Sequence, residues 1–152
     1  MAAIVAFALA VLGLGLGSAA RADDAEDKAV AFVEKLNGSL SRDEKAPGKP
    51  VVEVRLSGTK VTDAGLKELA ALTKLTRLFL FKTPVTDAGL KELAPLKALT
   101  KLDLDDTKVT DAGLKELATL TNLTNLFLTN TQVTDEGVKE LQKALPKCKI
   151  VK

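Results

Sequence analysis

The acids Asp103, Asp105 and Asp106 are the residues of this 152-residue chain that come nearest to a reactive arrangement. Alternate side chains of a strand share a face, so Asp103 and Asp105 would stand about 7 Å apart, a separation that two-carboxylate glycosidase chemistry can use. Nothing else in the sequence supports that chemistry. Histidine, tryptophan and tyrosine are absent, which removes the commonest general base, the commonest metal ligand and the usual base-stacking platforms. Three acids without a glycine turn and a distal glutamate do not make a calcium loop. They read as a solvated acidic patch, and no catalytic residue, metal or cofactor is expected. The single cysteine, Cys148, excludes an internal disulfide and a cysteine-cluster zinc site, and reads as a buried thiol. GLGLGS, from Gly13 to Ser18, has neither a preceding strand nor the lysine of a phosphate loop.

The elements that position these residues repeat. Val61 to Ala70, Val85 to Ala94 and Val109 to Ala118 are the same ten residues, VTDAGLKELA, and a divergent copy, VTDEGVKELQ, begins at Val133. A spacing of about 24 residues with leucines at fixed offsets means one strand and one helix per unit, each burying its apolar side only against its neighbours. Ahead of each helical segment the chain reads L-x-x-L-x-L-x-x-T-x-V, starting at Val51, Leu75, Leu99 and Leu123. This pattern resembles the leucine-rich repeat family, in the variant that continues T-D-x-G-L-x-x-L, as in ribonuclease-inhibitor-like and F-box-associated repeats and in exported bacterial repeat proteins. The resemblance covers Val51 to Lys152 and implies an α/β solenoid, with a short parallel sheet on its concave side and helices on its convex side. Where the family usually has Asn or Cys at the corner after the strand, this chain has Thr59, Thr83, Thr107 and Thr131. Their hydroxyls are expected to bond backbone in the turn below, as a structural ladder.

Within a unit, alternation sends Leu78 and Leu80 to the core and Arg77, Phe79 and Phe81 outward. Thr86 suits the helix N-cap, Asp87 its first turn, and Leu90, Leu93 and Leu96 the face turned to the strand. A glycine inside a helix costs about 1 kcal/mol relative to alanine. Its recurrence at Gly65, Gly89, Gly113 and Gly137 predicts close contact between neighbouring helices. The helical half scarcely changes from unit to unit, whereas the outward strand positions change completely: Glu53, Arg55, Ser57; Arg77, Phe79, Phe81; Lys101, Asp103, Asp105; Asn125, Phe127, Thr129. One row across the strands then reads Arg55, Phe79, Asp103, Phe127. Every phenylalanine of the repeats is outward, and aromatic anchors carry much of the energy of an interface. The plain alternative is that Arg55 and the neighbouring strands cover the rings by cation-π and cross-strand packing.

The flanks read as caps. Ala29, Val30, Val33 and Leu36 predict a helix over Ala25 to Leu36, stopped at Asn37-Gly38. A short strand over Ser39 to Asp43 and a turn over Ala46 to Pro50 lead into the repeats. Gln142 in place of the repeat alanine suits a terminal unit, and Leu145-x-x-Cys148-x-Ile150 predicts a last strand arriving two residues early. Residues 2–20 carry no charge and end in Ala20-Arg21-Ala22 before an acidic run. This reads as a signal peptide cleaved after Ala22, with an uncleaved membrane anchor as the alternative.

The expected organisation is a leader over residues 1–22, an N-terminal cap of helix, strand and turn over 23–50, and a repeat domain over 51–152. Basic and acidic residues nearly balance, 22 against 20, which argues against nucleic acid or anionic membrane as partner. The reading is an exported (periplasmic, envelope or secreted) non-enzymatic module that binds protein or peptide through Arg55, Arg77, Phe79, Phe81, Lys101, Asp103, Asp105, Asn125, Phe127 and Thr129. The alternative is an envelope protein that self-associates through the same face as a weak homodimer. A ubiquitin-ligase-type adaptor, suggested by repeat resemblance alone, ranks below both because no F-box segment precedes Val51. Five strands at about 4.8 Å by four residues at about 3.3 Å give a face on the order of 300 Å². That is below the roughly 800 Å² per partner of a standard interface, so the partner is small, or flanking surface contributes.

Overall fold

The period-two and helical patterns of the sequence build an open solenoid in a computed structural model that describes residues 17–152, with side chains from Asp24 onward. A first helix, α1 (Gly17–Lys35), is followed by β1 (Ser39–Arg42) and β2 (Val51–Arg55). The repeats then alternate α2 (Asp63–Leu66), extended by a 3-10 turn over Lys67–Ala71, β3 (Arg77–Phe79), α3 (Asp87–Lys91), β4 (Lys101–Asp103), α4 (Asp111–Leu117), β5 (Asn125–Phe127), α5 (Asp135–Ala144) and β6 (Lys149–Val151). The six strands lie in sequence order in one sheet, β1 antiparallel to β2 and the rest parallel. The expected α/β solenoid with its capping helix and hairpin is the observed fold. Most of the α2, α3 and α4 segments are only one or two turns long, so their stability comes from packing rather than from helix propagation.

The core is one stack of aliphatic layers. Val54, Leu78, Leu102 and Leu126 are paired residue to residue across β2 to β5, and all four are fully buried. Behind them, Leu66, Leu69, Leu90, Leu93, Leu114 and Leu117 close the layer from the helical side. Burying a leucine of this kind contributes about 1.5–3 kcal/mol, and the dispersion contacts between identical neighbours keep the layers in register.

The repeated T-D-x-G segment is a clasp between units, formed in a way the sequence reading did not anticipate. Asp63 accepts from the Thr86 backbone N–H through Oδ1 (2.8 Å) and from the Thr86 hydroxyl through Oδ2 (2.6 Å). Asp87 does the same for Thr110, and Asp111 for Thr134. The aspartate of one unit therefore caps the helix start of the next. The glycine of that next unit makes room for it: a Cβ on Gly89 would lie 2.5 Å from Asp63 Oδ1. Close approach of neighbouring units is thus the reason for the recurring glycine, and the contact is with a carboxylate as well as with a leucine of the preceding helix. The corner threonines do not form a ladder between units, because each hydroxyl donates to the leucine carbonyl three residues back in its own unit, Thr83 to Leu80 and Thr107 to Leu104 among them. The threonine hydroxyls that reach a backbone carbonyl of the preceding unit belong to Thr76, Thr100 and Thr124.

Both ends of the described stack are covered by residues that replace a neighbouring unit. At the N-terminal end, Ala29 and Val33 of α1 are fully buried and the Phe32 ring sits where a Cβ on Gly65 would collide. Arg42 of β1 pairs with Glu26 of α1 (2.6 Å), fixing hairpin to helix. The helix is already formed at Gly17, the first described residue, ahead of the expected Ala25, and runs through Ala20-Arg21-Ala22. It stops at Asn37, whose φ of 57° is the left-handed stop expected at Asn37-Gly38. The apolar run over residues 2–16 lies outside the described residues. At the other end, Gln142 Nε2 donates to the Leu145 and Cys148 carbonyls, and Lys152 occupies Asp135, the acid whose equivalents bind the next unit's threonine. The last strand keeps the 24-residue register, Leu126 opposite Ile150, so it does not arrive two residues early. Cys148 precedes that strand and is buried.

Candidate binding face

Strand alternation and parallel pairing turn single outward residues into rows. Glu53, Arg77, Lys101, Asn125 and Lys149 form the first row, and Arg55, Phe79, Asp103, Phe127 and Val151 the second. Backbone bonds beyond the strands, Gly58 to Phe81, Lys82 to Asp105 and Asp106 to Thr129, align a third row of Ser57, Phe81, Asp105 and Thr129. All ten residues read from the sequence as candidate contacts therefore fall on this one face. Lys149 and Val151 join them and were missed, because the last unit was aligned two residues out of step; the signal was a constant offset of 24 from Asn125 and Phe127.

The chemistry of the face differs from that of a free aromatic patch. Arg55 stands over the Phe79 ring at 4.5 Å from its centroid, and the Lys101 ammonium lies near both rings, 5.3 Å from Phe79 and 5.0 Å from Phe127. Phe79 and Phe127 are consequently half-buried, whereas Phe81 is the large apolar side chain left exposed among the described residues, at 40%. Cation-π contact of this kind contributes about 0.5–1 kcal/mol when exposed, enough to fix the rings without hiding them. Glu53, outward by alternation, is nevertheless only 5% exposed, and its two oxygens pair with Arg55 Nε and Arg77 Nε at 2.6 Å each. A buried carboxylate needs such partners, and here they hold two guanidinium groups against the sheet.

The acids are equally committed. The Asp105 N–H donates to Asp103 Oδ1 (3.1 Å), Asp105 Oδ1 accepts from the Thr129 N–H (2.5 Å), and Asp106 accepts from the Asn130 amide. Partial burial between the two aromatic strands, reinforced by the charge of Asp105, raises the Asp103 pKa above the ordinary carboxylate range. These carboxylates serve as turn and inter-unit acceptors, and the patch is less solvated than the sequence suggested.

Repeats in register, a parallel sheet on one side and helices on the other are also what sequence comparison recognises. The family model for the leucine-rich repeat matches residues 50–70, 97–118 and 119–141. The chain is a leucine-rich repeat protein. The unmatched stretch between the first two segments contains Val85 to Ala94, identical to the copies on either side. Among solved structures, this leucine-rich repeat protein is similar to one from Leptospira interrogans, 29% identical, over 70% of this chain and 28% of that chain, with a TM-score of 0.54. It is also similar to an internalin C2 from Listeria monocytogenes (34% identity, 56% of this chain and 36% of that chain, TM-score 0.44) and to the ectodomain of the receptor kinase SOBIR1 from Arabidopsis thaliana (16% identity, 85% and 91%, TM-score 0.44). The chain spans just over a quarter of the length of the Leptospira protein. No curated protein matches it. Leucine-rich repeat solenoids present extended concave surfaces for binding other proteins, and the three rows above lie on the strand side of this solenoid. Among the described residues, no helix is long and apolar enough to cross a membrane.

Proposed function

We propose that this leucine-rich repeat protein is an exported, non-enzymatic module that binds a protein or peptide through its concave strand face. The observation that carries the reading is the alignment of Arg55, Phe79, Asp103, Phe127 and Val151 in one row, with Arg55 and Lys101 holding the rings in place. Pre-positioned aromatic side chains lose little entropy when a partner covers them, and the constancy of the helical half concentrates variation on the strands. The carboxylates of the face are already engaged by backbone or arginine, which favours binding over catalysis. Export rests on residues 1–22 as a leader, with residues 23–50 as cap and 51–152 as the repeat domain.

Exchanging Phe79→Asp together with Phe127→Asp tests the face. Capture of native envelope partners by crosslinking is expected to disappear while far-UV circular dichroism stays unchanged; an unaltered set of captured proteins sinks the site. The mass of the mature N-terminus tests the leader, and retention of Met1 would point to an anchor. The exposed Phe81 supports a second reading, self-association through the same face. Sedimentation at high concentration separates the two, since a monomer excludes self-pairing.

A further inference from the structure

The helix-to-strand turns place one kind of charge beside the first row of the face. Residues 71–77, 95–101, 119–125 and 143–149 contain no aspartate or glutamate. Besides Lys143, which pairs with Glu140, they supply Lys74, Arg77, Lys97, Lys101, Lys147 and Lys149, of which all but Lys101 are exposed. Acids at this edge cluster at its β1–β2 end, away from β3 to β6, where Glu26 pairs with Arg42 and Glu44 with Lys49 beside Asp43; Glu53 lies buried between Arg55 and Arg77, so its charge is spent inside the sheet. Arg77 is pinned through Nε to Glu53, which leaves its terminal nitrogens outside that pair. Lys101 and Lys149 make no ion pair among the described residues, and Lys97 donates only to the Thr119 carbonyl. Two residues further along, Phe79 and Phe127 flank Asp103, whose carboxylate already accepts from the Asp105 N–H, and beyond them stand the acids Asp105 and Asp106. The face therefore runs from basic through aromatic to partly acidic along the strand direction.

We propose that the partner segment is an extended acidic peptide lying across β3 to β6, with carboxylates toward Arg77, Lys101 and Lys149 and an apolar side chain on the Phe79–Phe127 row. This deepens the concave-face reading and rests on it. The width of the basic strip selects the ligand. Asp103 lies two strand residues beyond the basic row, between the rings, and Asp105 lies four beyond it, about 13 Å, so a duplex nucleic acid or a flat anionic membrane laid on the lysines would cover Asp103, Asp105 and Asp106 together. A single extended chain does not. Like charges brought under the wrong partner penalise it, which is how electrostatic pattern gives specificity.

The test uses fluorescence anisotropy with labelled peptides of about eight residues, enough to cross four strands, each carrying a central leucine flanked by glutamate, by serine or by lysine. The glutamate peptide is expected to bind at least about tenfold more tightly than the other two, weakening as salt rises. Lys101→Glu with Lys149→Glu removes that preference, whereas Lys60→Glu with Lys108→Glu on the opposite edge changes affinity less than about twofold; far-UV circular dichroism and urea midpoints verify folding of both variants. Tightest binding by the lysine peptide, binding of none of the three, equal sensitivity to both charge reversals, or equally tight binding of a thymidine oligonucleotide overturns the proposal. Phe79→Ser with Phe127→Ser separates the two readings. If the serine peptide binds as well as the acidic one and both are lost in that variant, the concave face stands and the acidic assignment falls. If the glutamate preference survives that variant undiminished, the acidic assignment stands and the aromatic row is not the contact.

Discussion

Gly113→Ala reverses the usual rule for helices, and the reversal can be measured. Gly113 lies in α4, where alanine ordinarily gains about 1 kcal/mol over glycine. Here the added Cβ falls closer to Asp87 Oδ1 than real Cβ contacts allow, 3.0 Å from Asp87 Cγ and 2.9 Å from Leu90 Cδ1. The leucine methyl ends a rotatable side chain and can move. The aspartate cannot move without loss, because its two oxygens accept from the Thr110 N–H and hydroxyl at 2.7 Å each. At about 1 to 1.5 kcal/mol for each half-exposed bond to a charged acceptor, displacing Asp87 costs about 2–3 kcal/mol. Set against the propensity gain, Gly113→Ala should destabilise by about 1–2 kcal/mol. Urea unfolding followed by circular dichroism reads this as a lower midpoint. The double-mutant cycle is decisive: in an Asp87→Ala background, the same Gly113→Ala change should become neutral or stabilising by up to about 1 kcal/mol. A single variant as stable as the parent, or a loss that persists unchanged without Asp87, would refute the clasp.

Three further outcomes are expected. Lys82 holds φ = 53° at the corner where Gly58 stands in the first unit, so Lys82→Gly should stabilise by up to about 1 kcal/mol, read as a higher urea midpoint, and a lowered midpoint would show that the side chain does more than tolerate the conformation. The Asp111 carboxyl is held below its ordinary range by the Thr134 hydroxyl and N–H, and Asp135 by Lys152. A depressed pKa adds stability above the unfolded value that is lost as pH falls through the folded one, so stability should fall more between about pH 5 and about pH 2 in the parent than in Asp111→Asn, and parallel profiles would contradict this. Burial pushes the Cys148 thiol up to about 11, so iodoacetamide at neutral pH should label it only after unfolding in urea; immediate labelling of the folded chain would disprove its burial.

Much of this was legible because a repeat displays its own rules. Leucine spacing, T-D-x-G recurrence and constant offsets predicted the solenoid, the concave rows, the caps and the outward direction of Phe79, Phe81 and Phe127. The misreadings arose where a residue's role depends on a neighbour about 24 positions away. Asp63, Asp87 and Asp111 looked like helix-dipole residues of their own units, yet they cap the next. Glu53 alternates outward as predicted, but only the adjacent strand supplies Arg77 to bury it. The last strand was misplaced because local leucine spacing competed with the longer period, and pairing with β5 favoured the period.

Sequence by itself determined which side each strand residue faces, since alternation and helical periodicity are properties of local backbone geometry. Tertiary structure decided what those side chains meet there. The rings are gripped by Arg55 and Lys101, cover that the sequence offered only as an alternative; Asp105 and Asp106, read as solvated, are bound to the next unit; and lysines scattered through three separate turns are gathered on one edge. Pair interactions across a parallel sheet require a register and a stacking distance, and those exist only once the units have packed.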